Sequence, residues 1–173
     1  MIYVTTGTDH HPYGRLIKAV DSIKGKGLIQ QPVFIQTGSS SYIPQHCEHT
    51  DYLTFDQVRE KINEAKIIIT HGGPGTIMPV VNSGKVPIVV PRKKQYGEAV
   101  DDHQVDFVRK LDERGLIIAV VDTADLASKI NDYDDLVSRL KQKPETESPD
   151  QRISRFARAL ESLCLSLIKK KKS

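Results

Sequence analysis

The segment KIIITHGGPGTIMPVVNSGKVPIVVPR, residues 66–92, constrains this chain more than any other. Ile67, Ile68 and Ile69 form an unbroken β-branched run, the pattern of a strand buried on both faces of a parallel sheet. Thr70 and His71 close that run, and Gly72-Gly73-Pro74-Gly75 forbids both strand and helix. Thr76-Ile77-Met78 opens a helical pattern in which Thr76 is suited to the N-cap. Ser83-Gly84-Lys85 stops the helix, and residues 86–90 read as the next strand, closed by Pro91. A helix N-terminus presents unpaired backbone N–H groups and a partial positive charge, and glycines let an anion approach the main chain. The segment reads either as a phosphate or diphosphate site or as a tight turn that binds nothing. Four permissive residues between two good elements favour the first.

The flanking sequence repeats the alternation. Residues 2–5 are strand-like and break at Thr6-Gly7-Thr8-Asp9; residues 12–24 carry helical spacing through Leu16, Ile17, Val20 and Ile23. Strands are expected at 33–36, 51–54 and 116–121, and helices at 55–64, 103–113, from Asp122-Thr123 onward, and at 134–140. This is the signature of an α/β fold, a doubly wound and mostly parallel sheet, over residues 1–142. A polar linker follows at 143–149, then an amphipathic helix at 150–168 with Ile153, Phe156, Leu160, Leu163 and Leu167 on one stripe, then a basic tail at 169–173. The stripe packs on its own domain or meets a partner subunit.

Composition narrows the function. A net charge of +3 on 173 residues gives no case for nucleic acid. The longest clean apolar run, 116–121, is strand-sized, so no membrane span is expected, and the opening residues lack a signal-peptide pattern. Cys47 and Cys164 make neither a disulfide framework nor a zinc site, and His46-Cys47-x-His49 lacks a second ligand pair. A reduced, cytoplasmic protein is expected. The first loop, TTGTDH, has one glycine where a dinucleotide site needs three, and no GK[ST] triplet is present, which disfavours NAD and P-loop chemistry. In a Rossmann-type strand order the first and fourth strands flank the ligand crevice, so Thr6-Gly7-Thr8 and 71–75 would meet there.

The segments VTTGTDHHPYGRLIKAVD, THGGPGTI, GKVPIVVPR and DDHQ stand in the order found in glycosyltransferase family 28, and the chain resembles its C-terminal domain, the donor-binding half of MurG-like GT-B enzymes. It most resembles free-standing half-enzymes: the donor-binding subunit of the dolichol-pathway N-acetylglucosaminyltransferase and the PssE-type subunits of exopolysaccharide synthesis. The resemblance implies a Rossmann-like GT-B half and a UDP-sugar donor. It also implies a membrane-anchored partner that holds a lipid-linked acceptor, and a peripheral position at the inner face of the membrane through that partner. It places the diphosphate at Gly72, Gly73, Gly75 and Thr76, with Gly7 and Thr8 closing the other side and uracil near Leu53 and Phe55. Asp102, His103 and Gln104 would face the sugar and phosphates. One departure stands out: the family commonly has Glu three residues after the loop Ser/Thr, to take the ribose hydroxyls, and here that residue is Pro79.

Other side chains are candidates on position alone. His71 either meets the ligand or caps the strand, and Arg92 is a candidate to neutralise phosphate. His10 is the chain's own candidate for general base, although a base from the partner is the stronger expectation. No D-x-D-like metal site is evident, Asp101-Asp102 being adjacent rather than spaced, so neither metal nor cofactor is expected. A non-catalytic module that binds nucleotide diphosphates is the competing reading.

Overall fold

Six strands form one all-parallel sheet in the order β3-β2-β1-β4-β5-β6. They are β1 (Ile2–Thr5), β2 (Val33–Gln36), β3 (Glu48–Thr50), β4 (Ile67–Thr70), β5 (Ile88–Val89) and β6 (Ile118–Ala119). The computed structural model describes residues 1–141 together with residues 154, 157 and 158. The expected linker at 143–149 and tail at 169–173, and all but those three positions of the expected helix at 150–168, lie outside the described residues.

Alternation along the strands builds a core on each face. Ile2, Val4, Ile67, Ile69, Ile88, Val90, Ile118 and Val120 point to one side, where α1 (Gly14–Gly25), α5 (Leu126–Asn131) and α6 (Tyr133–Lys141) cover them. Tyr3, Ile68 and Val89 point to the other, against α2 (Phe55–Glu64), α3 (Pro74–Asn82) and α4 (His103–Glu113). A strand that must pack on both faces has no room for a polar side, which is why the Ile67-Ile68-Ile69 run is unbroken.

Several boundaries differ from the sequence expectation, and β5 and β6 are two residues each where 86–90 and 116–121 are expected. The third strand is Glu48–Thr50, not 51–54, because Glu48, His49 and Thr50 pair with Phe34, Ile35 and Gln36. Residues 51–54 are instead the turn into α2, which Thr54 caps in a reciprocal pair with Gln57. Helix α3 begins three residues earlier than an N-cap at Thr76 implies. Its N-cap is Gly73, and Pro74 sits in the first turn, where its fixed φ and missing N–H are tolerated. Thr76 is therefore inside the helix, with its N–H bonded to the Gly73 carbonyl at 3.1 Å.

Candidate functional site

Strands β1 and β4 are neighbours, with Thr5 opposite Thr70 at their carboxyl ends. The two glycine loops therefore open side by side where the strand order reverses, the place at which open α/β sheets bind ligands. The loop after β2 joins them: an added Cβ at Gly38 would lie 2.7 Å from Thr6 Oγ1 and 2.9 Å from the Gly7 carbonyl. Thr37 and Asp51 link this loop in turn to the entry of α2.

The His71 imidazole fills the space between the loops. A Cβ on Gly7, whose φ of +76° already favours glycine, would stand 2.5 Å from His71 Cε1, and one on Gly73 would collide with Nε2. Thr76 Oγ1 is 3.5 Å from Nε2, and Nδ1 finds no hydrogen-bond partner among the described residues. Burial, reinforced by the nearby Arg92 charge, pushes the His71 pKa down to about 4, so the ring is neutral at ordinary pH. The wedge was not legible in the sequence, because it depends on Gly7 and Gly73 meeting one ring from opposite sides.

At the start of α3 the first-turn N–H groups lack intrahelical acceptors. Pro74 has none to offer, and no hydrogen bond among the described residues uses the Gly73 or Gly75 N–H. Nothing lies within 4 Å of a Cβ placed on Gly75, so its main chain is open to a ligand. Gly72 is held differently. Its N–H donates to Gln104 Oε1 at 3.1 Å, and the same oxygen accepts the Arg92 N–H at 3.2 Å. Gln104 thus ties the β4 loop to the β5 loop, and only its amide NH2 is left for a ligand.

Arg92, the candidate to neutralise phosphate, is buried beneath the loops. It is 1% exposed, and its guanidinium donates to the carbonyls of Thr6 (2.9 Å), His11 (2.7 Å) and Glu98 (3.1 Å) while stacking on Tyr13. Glu98 is buried too, gripped by Arg15 Nε and Nη2 at 2.9 Å each and by the Lys93 N–H. The Tyr13 hydroxyl donates to the Val90 carbonyl at 2.8 Å. Sequence reasoning missed Tyr13 and Arg15 from the start of α1 and Glu98 from the loop after β5, which gather around Arg92.

The remaining candidates are peripheral. His10 is 87% exposed and lies against the His11 ring; it is His11 whose Nδ1 sits 2.7 Å from Asp9 Oδ1. These three residues place donor atoms within 4.8 Å of one another, on an exposed loop where the Asp9 carboxylate already accepts the His11 N–H. Asp102 accepts the Lys94 N–H, and exposed His103 pairs with Asp101 at 3.4 Å. Thr8 is exposed at the crevice mouth. Leu53 is half-buried against the Tyr3–Ile68 cluster, and Phe55 is 77% exposed at the start of α2, on the flank beyond β2.

Residues 1–163 match the glycosyltransferase family 28 C-terminal domain. The chain belongs to that family. Subunit ALG13 of the UDP-N-acetylglucosamine transferase of Homo sapiens is 25% identical over 122 residues, covering 66% of this chain and 10% of that protein. Among solved structures, the kitacinnamycin glycotransferase superposes with a TM-score of 0.55 at 17% identity, covering 98% of this chain and 42% of its own. SnogD from Streptomyces nogalater gives 0.55 at 16%, covering 90% and 42%. The calicheamicin glycosyltransferase CalG4 gives 0.54 at 16%, covering 94% and 38%. These likenesses establish a GT-B-type α/β fold. The family 28 chain spans a tenth of the curated relative and about two fifths of the solved glycosyltransferases.

Proposed function

We propose that this chain is the donor-binding subunit of a two-component, UDP-sugar-dependent, inverting glycosyltransferase. Its partner, anchored at the inner face of the membrane, would hold a lipid-linked acceptor used in polysaccharide or glycolipid synthesis. The observation that carries the reading is the pair of glycine loops at the β1 and β4 tips, with the Gly73 and Gly75 N–H groups unclaimed at the N-terminus of α3. Such groups suit a diphosphate, which develops negative charge as it leaves. The solved relatives carry more than twice the chain matched here, consistent with a second half facing this one.

In this reading an acceptor hydroxyl attacks the anomeric carbon as the bond from that carbon to the β-phosphate oxygen breaks. The electron pair leaves with UDP, whose charge meets the α3 N-terminus. The hydroxyl proton goes to a base on the partner, with His10 the outside candidate on this chain. No metal enters the scheme, because the helix dipole and backbone donors supply the charge stabilisation. No described helix is long and apolar enough to cross a membrane, so attachment is assigned to the partner.

One observation favours a second reading, a nucleotide-diphosphate-binding module without turnover. Pro79 lies inside α3 where the family commonly carries Glu, and its side chain accepts no hydrogen bond from ribose. A transfer assay with radiolabelled UDP-sugars and a lipid acceptor, run with the chain alone and in membranes that supply a membrane-anchored partner, separates the two. Turnover only with that partner is expected; UDP binding with no turnover in either case would support the module.

A further inference from the structure

Arg92 poses an electrostatic problem that its hydrogen bonds do not solve. Three main-chain carbonyls satisfy its Nη donors, yet carbonyls are dipoles and leave the unit charge in place. Each carboxylate near it is otherwise engaged. Glu98 is held by both Arg15 nitrogens, so those two charges cancel, and Asp9 is part-exposed and shared with His11. No ion pair of Arg92 with any described carboxylate is formed, and its Nε has no partner. His71, the other titratable group on this side, is neutral and partly made so by Arg92 itself. Tyr13, stacked against it, is held in its neutral form by burial. The Arg92 charge thus lies beneath the site with no direct ion pair, facing only the part-exposed Asp9 through space, and touches the carbonyl of the residue before Gly7.

We propose that Arg92 is a buried counter-charge for the ligand's diphosphate, acting through the loops without touching it. The inference rests on the donor-binding reading. A charge shielded from water acts over a longer range than an exposed one, and an isolated buried charge is unfavourable until an opposite charge arrives. A diphosphate over the Gly7 and Gly73 loops relieves that burden. Uridine, which has no phosphate, cannot. Arg92 is in this sense a specificity-determining residue, selecting diphosphate over the bare nucleoside.

Calorimetry and NMR titration of the full chain with UDP, UMP and uridine test this for wild type, Arg92→Lys and Arg92→Met. Lysine keeps the charge but not the fork of donors; methionine keeps an unbranched stem but no charge. Arg92→Met is expected to weaken UDP by about tenfold or more and UMP by less, with uridine unchanged within about twofold, and Arg92→Lys to stay within about threefold for UDP. Equal losses of UDP and uridine in Arg92→Met, or UDP affinity kept, would overturn the proposal. Should Arg92→Met fail to fold, a folded Arg92→Lys decides: retained UDP affinity supports the counter-charge, and a tenfold loss overturns it. A wild type that takes up no UDP at all removes the donor reading itself, and the role of Arg92 with it.

Discussion

Gly7 and Gly75 make different demands, and the difference can be measured. Gly7 combines a positive φ with the His71 ring, so Gly7→Ala is expected to lower stability by about 1–3 kcal/mol in urea denaturation. Gly75 has open space where its Cβ would go and sits in the first turn of α3. Gly75→Ala should leave the melting temperature unchanged or higher, because alanine has the better helix propensity, while weakening UDP by crowding the main-chain donors. His71 gives a pH signature. Its folded pKa of about 4 lies below the ordinary value, so between pH 6.5 and 4 the unfolded chain binds a proton that the native state refuses. Stability contributed by the neutral ring is present above pH 6.5 and falls as pH drops toward 4, by on the order of 3 kcal/mol. His71→Phe, which cannot titrate, should flatten that part of the stability–pH curve.

At the scale of elements, α2 is held at both ends by side chains. Thr54 and Gln57 cap its start, and Lys85 Nζ donates to the carbonyls of Ile62, Asn63 and Ala65 at its end. Thr54→Ala is expected to cost about 1 kcal/mol, and Lys85→Met, which strands three carbonyls, about 1–3 kcal/mol. Lys85→Met should not change UDP affinity by more than about twofold, since Lys85 sits away from the β1–β4 tips; paired denaturation and calorimetry check this. The same elements show what a sequence reveals. Ile67–Thr70 was legible because burial on both faces demands an unbroken apolar run. Glu48–Thr50 was not: an edge strand of Glu, His and Thr has no such pattern and is defined only by its register with β2. The start of α3 was misplaced because Thr76 has the right chemistry for a cap, yet Pro74 fits the first turn and moves the cap to Gly73.

Across the whole molecule, the parallel α/β class followed from the alternation of strands and helices, while the meeting of the two loops depended on a Rossmann-type strand order, which the sheet has. The support beneath the loops was not legible. Tyr13 and Arg15 lie about 80 residues from Arg92 and Glu98 in the chain, and nothing in their local sequence announces that they are buried together. The account reduces to a cradle of backbone donors on one half of a cleft. An amide-resolved NMR titration of the chain with UDP tests that most directly. The account predicts saturable shifts at the Gly7, Gly73 and Gly75 amides, absent with uridine alone. Saturation with UDP that leaves these three amides unmoved would contradict it.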